Sequence, residues 1–188
     1  MQLLPIERIE TNRLYLRKLT FEDIPLYYAR LSSSYQIPKY MLWSTHEKME
    51  QTIDYVRNSI EKYASNKYYK WVIALKQTNE SIGIIELLRF DEKDENCSFA
   101  YMLAEEFWNK GYMTEALQAA LHFAFMKLEV KEVIADHFSE NLASGKVMKK
   151  VGMQYIGRQE QTYQKDGKVY SAEVYKITKQ DFLDKNKN

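Results

Sequence analysis

Cysteine is almost absent from this sequence, and so is any excess of charge. Cys97 is the only cysteine, which rules out an intrachain disulfide and argues against a thiolate metal site. The 27 basic and 26 acidic residues leave a formal net charge of +1, whereas proteins that bind nucleic acid or acidic membranes usually carry a clear basic excess. The sequence shows no signal-peptide pattern and no apolar run of membrane-spanning length. We therefore expect a cytoplasmic protein that uses no metal, nucleic acid or membrane as a partner.

Length and composition predict one folded domain. The 188 residues are enough for a sizeable core, and 45% hydrophobic with 28% charged residues is ordinary for a globular protein. We expect a single domain over residues 1–188, with a short solvated C-terminal tail from about residue 179. The sequence does not decide between a monomer and a homodimer.

Hydrophobic periodicity predicts a mixed α/β fold. Alternation and short apolar runs indicate strands at about 13–19, 71–76, 82–90, 99–103, 133–138, 153–163 and 169–177. Helical spacing indicates helices at about 20–31, 45–60, 112–128 and 143–151, the second of them capped by Thr45. Asp166-Gly167 is a strong signal for the turn of the last hairpin. The expected architecture is a mixed central sheet of about seven strands flanked by about four helices.

The most informative segment, residues 106–116, joins the strand that ends at Leu103 to the third predicted helix. A strand that leads through a glycine turn into a helix leaves several backbone N–H groups free at the positive end of the helix dipole. Such a loop, with Gly111 at its turn, suits a pyrophosphate. The alternative is an ordinary strand–helix connection in which Gly111 only permits a tight turn. We refer to residues 106–116 as the cradle loop.

Three separated blocks carry a family resemblance. The segment Trp108–Ala116 reads Trp-Asn-Lys-Gly-Tyr-Met-Thr-Glu-Ala, and the segment Glu10–Asp23 contains Glu-Thr-Asn-Arg-Leu-Tyr-Leu-Arg. Further on, Asn141-Leu142-Ala143-Ser144 precedes Val151-Gly152-Met153. In this order the blocks resemble the GNAT superfamily of N-acetyltransferases, and most closely its ribosomal-protein N-terminal (alanine) acetyltransferase branch. The predicted element order agrees with the GNAT acyl-CoA N-acyltransferase fold.

The resemblance implies acetyl-CoA as co-substrate and a set of residues that bind it. Backbone groups of Tyr101, Met102 and Leu103 would align the pantetheine arm like an added strand. The N–H groups of the cradle loop would take the pyrophosphate, and the residues concerned are Asn109, Lys110, Gly111, Tyr112, Met113 and Thr114. Asn141 would contact the coenzyme or cap its helix, and Ser144 would lie near the thiol. The aromatic loop, residues 35–43, would border the acceptor pocket, although it could equally be packing between two helices.

Three positions depart from the family pattern. Asn109 replaces a glycine, and asparagine is the non-glycine residue that best tolerates a left-handed backbone. Glu106 stands where glutamine or arginine is usual, which places a carboxylate beside the expected phosphates. Met148 stands where many members have the tyrosine that donates a proton, and methionine cannot donate one.

Acetyl transfer also needs a base, because an alkyl ammonium is mostly protonated at neutral pH. Glu86 is the preferred candidate, since its strand parity with Ile84 and Leu88 puts a carboxylate on an apolar face. A glutamate at a sheet edge, facing water, is the alternative reading, and Glu95 or His137 could take the role instead. Ser144 remains as proton donor, unless it only satisfies a backbone amide at its helix start.

The sequence thus predicts an acetyl-CoA-dependent N-acetyltransferase in which a primary amine attacks the thioester directly in a ternary complex. The acceptor stays open between a protein N-terminus and a small amine of the polyamine or aminoglycoside type. A second reading is a non-catalytic acyl-CoA-binding or regulatory module, which Met148 and Glu106 favour. A general nucleotide-binding domain is disfavoured because the sequence has no Gly-Lys-Ser/Thr phosphate motif.

Overall fold

The computed structural model describes residues 4–65, 67–91, 93–185 and 187. Its strands are β1 (Ile9–Glu10), β2 (Leu14–Arg17), β3 (Tyr69–Leu75), β4 (Ser81–Asp91), β5 (Asn96–Leu103), β6 (Glu132–Phe138), β7 (Gln154–Lys165) and β8 (Lys168–Thr178). Its α-helices are α1 (Ile24–Tyr27), α2 (Met49–Lys62), α3 (Tyr112–Met126), α4 (Leu142–Lys150) and α5 (Lys179–Lys185).

All eight strands belong to one sheet, in the order β1-β2-β3-β4-β5-β6-β8-β7. Neighbours run antiparallel except β5 and β6, which are parallel and pair only through Asn96–Cys97 against Glu132–Val133. Beyond Cys97 the two strands separate while β5 stays paired with β4 as far as Leu103. The divergence opens a gap in the middle of the sheet, which we call the β5–β6 gap.

Helices cover both faces of the sheet, and the sequence of β3 shows why. Trp71 and Ile73 belong to a core cluster that includes the apolar stripe of α3, whereas Val72 and Ala74 belong to a second cluster with Val56 of α2. Successive strand residues point to opposite faces, so a strand buried on both sides must be apolar throughout. The continuous apolar run Trp71–Leu75 therefore indicates a three-layer fold, with helices on both faces of the sheet, rather than a sheet with one face exposed to solvent.

The predicted architecture is confirmed, with some boundaries corrected. The first predicted helix is three short pieces, and its last turn widens because Ser33 N–H bonds to Tyr28 O, five residues back, at 3.0 Å. The second helix begins at Met49 rather than at Thr45, whose hydroxyl instead donates to Ser34 O at 3.2 Å. The helix start is stabilised by Gln51, whose Oε1 accepts from Lys48 N–H at 3.0 Å.

The expectation of a solvated tail from about residue 179 is wrong. Residues Lys179–Lys185 form α5, and Phe182 is buried against Phe125 of α3 with ring centroids 5.3 Å apart. Thr178 caps this helix, because its hydroxyl and Asp181 exchange hydrogen bonds. The lysine-rich composition of this segment indicated an exposed tail, although Phe182 packs into the core. Within the described ranges no helix combines the length and apolarity needed to cross a bilayer.

Candidate active site

The backbone of the cradle loop is left-handed at two positions just before α3 begins. Asn109 and Gly111 both take left-handed angles, with φ of 60° and 80° respectively, and Gly111 is the N-cap of α3. The first α-helical bond runs from Glu115 N–H to Gly111 O at 3.1 Å, so the N–H groups of residues 112–114 precede the helical ladder. Asn109 preserves the turn as expected. These N–H groups lie at the positive end of the α3 dipole.

A side-chain anchor that sequence reasoning missed holds the cradle loop. The carboxylate of Glu115 accepts from Thr11 Oγ1 at 2.7 Å, from Arg13 N–H at 2.8 Å and from Arg13 Nε at 2.7 Å. Arg13 Nη1 also donates to Lys110 O at 3.0 Å, and its guanidinium lies 4.4 Å from the centre of the Tyr112 ring. Partial burial opposes ionisation of Glu115, but the bonds from Thr11 and Arg13 outweigh it and lower the pKa of this carboxyl. Two of the resembling blocks therefore touch each other.

Glu106, the other departure in the cradle loop, has a partner. Its carboxylate lies 2.9 Å from Arg30 Nε, and Arg30 Nη2 lies 2.5 Å from Glu80. Arg30 thus balances part of the negative charge that the sequence placed beside the expected phosphates. Lys110 is exposed, with Nζ 5.6 Å from the ring centre of Phe107.

The edge of β5 that faces the β5–β6 gap offers backbone groups to a ligand. Ala104 N–H bonds to Ile82 O at 2.9 Å, on the β4 side. Because polar groups alternate sides along an antiparallel strand, those of Met102 also face β4, and those of Tyr101 and Leu103 face the gap. Leu103 O on this side accepts from Trp108 Nε1 at 2.7 Å. Of the three predicted residues, Tyr101 and Leu103 therefore present backbone groups, and Met102 presents its side chain.

A cavity of about 330 Å³ lies where the strands diverge. Its wall joins the two faces of the sheet, from Asn141, Ser144 and Met148 on one side to residues 40–43 of the aromatic loop and Tyr55 on the other. Glu86, His137, Tyr101 and Met102 lie along it. The structure thus brings the predicted catalytic residues to one space, and the aromatic loop does border it.

Ser144 is bonded to the hydroxyl of Tyr101, not to a backbone amide. Its Oγ donates to the Tyr101 hydroxyl at 2.8 Å, and that hydroxyl donates to Ser144 O at 3.1 Å. Asn141 caps α4, since its side-chain oxygen accepts from Ser144 N–H at 3.3 Å. Burial raises the pKa of Tyr101, which keeps its hydroxyl protonated. Met148 is buried beside this group and lines the cavity.

Glu86 lies inside the sheet, so its reading as a sheet-edge glutamate is wrong. It stands directly opposite Lys70 of β3, and Lys70 Nζ lies 2.8 Å from Glu86 Oε2. Lys70 is 4% exposed, with Nζ also 2.5 Å from the Tyr55 hydroxyl. Burial alone would lower the pKa of Lys70, but Tyr55, Glu86 and Tyr68 together raise it, so the ammonium is retained. A lysine within an apolar strand was the signal that sequence reasoning passed over.

The other base candidates are placed differently. His137 lines the cavity and is 6% exposed, with Nδ1 2.8 Å from Phe138 O. Its Nε2 lies against α4 at Gly145, where an added Cβ would come within 2.6 Å of it. Glu95 forms an ion pair with Lys131 and is not among the described residues that line the cavity. Groups of three or more metal-ligating side chains are not found in the described part of the chain.

One lysine holds the aromatic loop in place beside the cavity. Lys165, at the tip of the β7–β8 hairpin, donates to the backbone carbonyls of Pro38, Met41 and Trp43 at 2.8, 2.8 and 2.9 Å. The aromatic loop is thereby tied to a segment more than 120 positions away in the sequence. Tyr163, on the same hairpin, donates to Asp136 in the cavity wall.

Comparison with known proteins gives a family match and several structural matches. The family described as "Acetyltransferase (GNAT) domain" matches residues 13–154. The chain is 28% identical over 171 residues to "Uncharacterized N-acetyltransferase YoaA" of Bacillus subtilis (strain 168), an alignment that covers 91% of this chain and 96% of the relative. Among solved structures, a GNAT acetyltransferase from Bacillus anthracis superposes with a TM-score of 0.83 at 23% identity, covering 93% and 99% of the two chains. The ribosomal-protein α-N-acetyltransferase RimL, solved with coenzyme A, superposes with a TM-score of 0.81 at 18% identity, covering 92% and 98%.

Proposed function

This chain belongs to the GNAT family of acetyltransferases, and we propose that it moves the acetyl group of acetyl-CoA to a primary amine by direct attack in a ternary complex. The observation that carries the proposal is the continuity of three features. The cradle loop, the open edge of β5 and the cavity follow one another from the N-terminus of α3 to the aromatic loop. A coenzyme could therefore approach from the α3 side and an acceptor from the aromatic loop.

The residues of the cradle loop fit a pyrophosphate. Free N–H groups at residues 112–114 and two left-handed residues concentrate positive potential where Arg13 has fixed the loop. Next along the path, the N–H groups of Tyr101 and Leu103 would pair with the pantetheine arm as a neighbouring strand would. RimL, a protein of the same fold, was solved in complex with coenzyme A, which supports coenzyme A as the ligand.

The same strand edge would serve the chemistry. The amine nitrogen forms a bond to the thioester carbon, and a backbone N–H of β5 would stabilise the negative charge that develops on the carbonyl oxygen. Glu86 Oε1 would take the proton that the nitrogen loses, since Oε2 is held by Lys70. When the C–S bond breaks, the thiolate would take a proton from Ser144 Oγ, and Ser144 would regain one from the Tyr101 hydroxyl 2.8 Å away. After the products leave, Glu86 would release its proton to solvent and Tyr101 would take one from solvent, which restores the starting state.

The acceptor is a protein N-terminus, as in ribosomal-protein acetylation, or a small amine. The wall of the cavity is mostly aromatic and aliphatic, with Tyr40, Trp43 and Tyr55 on the acceptor side. Such a wall suits an amine attached to an apolar neighbour.

Thiol release from acetyl-CoA, measured across peptides with free N-termini, simple alkylamines, polyamines and aminoglycosides, tests the proposal. We expect turnover with at least one amine and a matching acetylated product. Tight binding of coenzyme A with no turnover on any amine would instead support an acyl-CoA-binding module, which the buried Met148 in place of a donor would then explain. Failure to bind coenzyme A would refute both readings.

A further inference from the structure

The proposed mechanism assigns the buried Lys70 no contact with the substrate. Lys70 Nζ lies 2.8 Å from Glu86 Oε2 and 2.5 Å from the hydroxyl of Tyr55. It is also 4.6 Å from the ring centre of Tyr55 and 5.5 Å from that of Tyr68. A carboxylate, a hydroxyl and two aromatic rings form the surroundings with which proteins bind an alkyl ammonium ligand. Here that ligand is the end of a side chain of the protein itself.

The second carboxylate of the wall is neutralised in the same way. Asp136 lies 2.8 Å from Arg89 Nη1 and accepts from the hydroxyl of Tyr163. Lys70, Glu86, Arg89 and Asp136 are the Lys, Arg, Asp and Glu side chains among the described residues that line the cavity, and their formal charges cancel. A second ammonium on an acceptor would therefore meet no carboxylate without a cation already beside it.

We propose that Lys70 is a specificity-determining residue, which fills the ammonium position beside Glu86 so that the pocket takes amines with one positive charge and disfavours diamines and polyamines. The inference rests on the proposed function for the identity of the pocket as the acceptor site. It narrows the substrate class to monoamines, a class that includes a peptide N-terminus in an uncharged sequence. Binding of a second ammonium group beside Glu86 would require removal of Lys70, because Lys70 occupies Glu86 Oε2 and Asp136 is paired with Arg89.

Binding of pentylamine and of the matched diamine cadaverine, measured by calorimetry on the coenzyme A complex, tests this. The wild type should bind pentylamine at least as tightly as cadaverine. Lys70→Met should shift the affinity ratio toward cadaverine by about tenfold, the effect of one charge-assisted contact with the freed Glu86 Oε2. The double variant K70M/E86Q has no carboxylate at this position and should lose that gain.

A preference of the wild type for cadaverine would overturn the proposal, and this measurement does not depend on the folding of any variant. An unchanged ratio in Lys70→Met, with normal thermal unfolding, would also overturn it, as would an equal gain in the double variant. Because the readout is binding, a protein that discriminates between the two amines but releases no thiol from acetyl-CoA would refute the proposed function and leave the role of Lys70 standing.

Discussion

Glu115→Gln tests whether the anchor between the N-terminal strand region and α3 is an ionic one. Glu115 is 19% exposed and accepts three hydrogen bonds, two of them to Oε1 and one to Oε2. Glutamine keeps one acceptor oxygen but turns an N–H₂ group toward Arg13 Nε, so one bond is lost and the others lose their charge assistance. Hydrogen bonds to a charged group contribute roughly 1.5–3 kcal/mol and neutral ones roughly 0.5–1.5 kcal/mol. Since Arg13 is 42% exposed, we discount the sum for solvent screening and expect a loss of about 2 kcal/mol.

Urea and thermal unfolding at neutral pH measure this loss. For a chain of this length, about 2 kcal/mol corresponds to a decrease in Tm of roughly 4–8 °C. Glu50→Gln is the matched control, because Glu50 also lies in the first turn of a helix, α2, but is exposed. Its substitution should cost no more than about 0.5 kcal/mol. The difference between the two variants isolates the bonds from Thr11 and Arg13.

The pH dependence of the unfolding free energy shows whether the ionised form of Glu115 is the one that stabilises the fold. Since the folded state lowers the pKa of Glu115, the stabilisation is fully present above the unfolded value of about 4.3 and is lost as pH falls through the lower folded value. The gap in unfolding free energy between wild type and Glu115→Gln should be constant between about pH 7 and pH 5 and narrow below about pH 4.3. A gap that is no larger than that of Glu50→Gln, or that persists unchanged into acid, would refute an ionic anchor.

Three further pairs of substitutions test the site. Gly111→Val should weaken coenzyme A binding by more than tenfold in a titration, because a β-branched residue is strained by more than about 1–2 kcal/mol at a φ of +80°. Gly111→Asn should lose much less affinity for coenzyme A. Equal losses in the two variants would contradict a conformational cause. Ser144→Ala should lower kcat about tenfold or more with little change in the KM for acetyl-CoA. Tyr101→Phe should also lower kcat, by a smaller factor. An unchanged kcat in Ser144→Ala would refute the role of Ser144 as proton donor. Lys165→Met removes the donor to three backbone carbonyls of the aromatic-loop region and should raise the acceptor KM several-fold, while the affinity for coenzyme A stays constant. Lys168→Met, at an exposed position of the same hairpin, is the control. Equal acceptor KM values in the two variants would show that the hydrogen bonds from Lys165 do not shape the pocket.

Local sequence patterns accounted for much of the fold. The apolar stripe of α3, with Ala116 and Ala120 fully buried, follows directly from helical spacing. The Asp166-Gly167 turn is formed by two left-handed residues, with φ of 49° and 72°, as its composition indicated. Asn109 likewise takes the left-handed angle that makes it a substitute for glycine. Each of these features depends on a few neighbouring residues, and that is the range over which a pattern is informative.

The candidate site depends on contacts that no local pattern contains. Lys70 and Glu86 are paired by the register of two strands, and Lys165 lies 127 positions from Pro38, whose carbonyl it contacts in the aromatic-loop region. Neither partner indicates the other in the sequence. Glu86 was identified as a candidate from its strand parity, but its ion-pair partner Lys70 could not be identified in that way. The same limit hid the bond between Ser144 and Tyr101, which joins α4 to β5 across 43 positions.

The central claim is direct transfer from acetyl-CoA to an amine held in the cavity, and initial velocities with both substrates varied test it most directly. Free thiol and acetylated amine should appear in equal amounts, and double-reciprocal plots should intersect, as a ternary complex requires. Parallel lines together with an acetylated form of the protein would indicate a covalent intermediate and contradict the account.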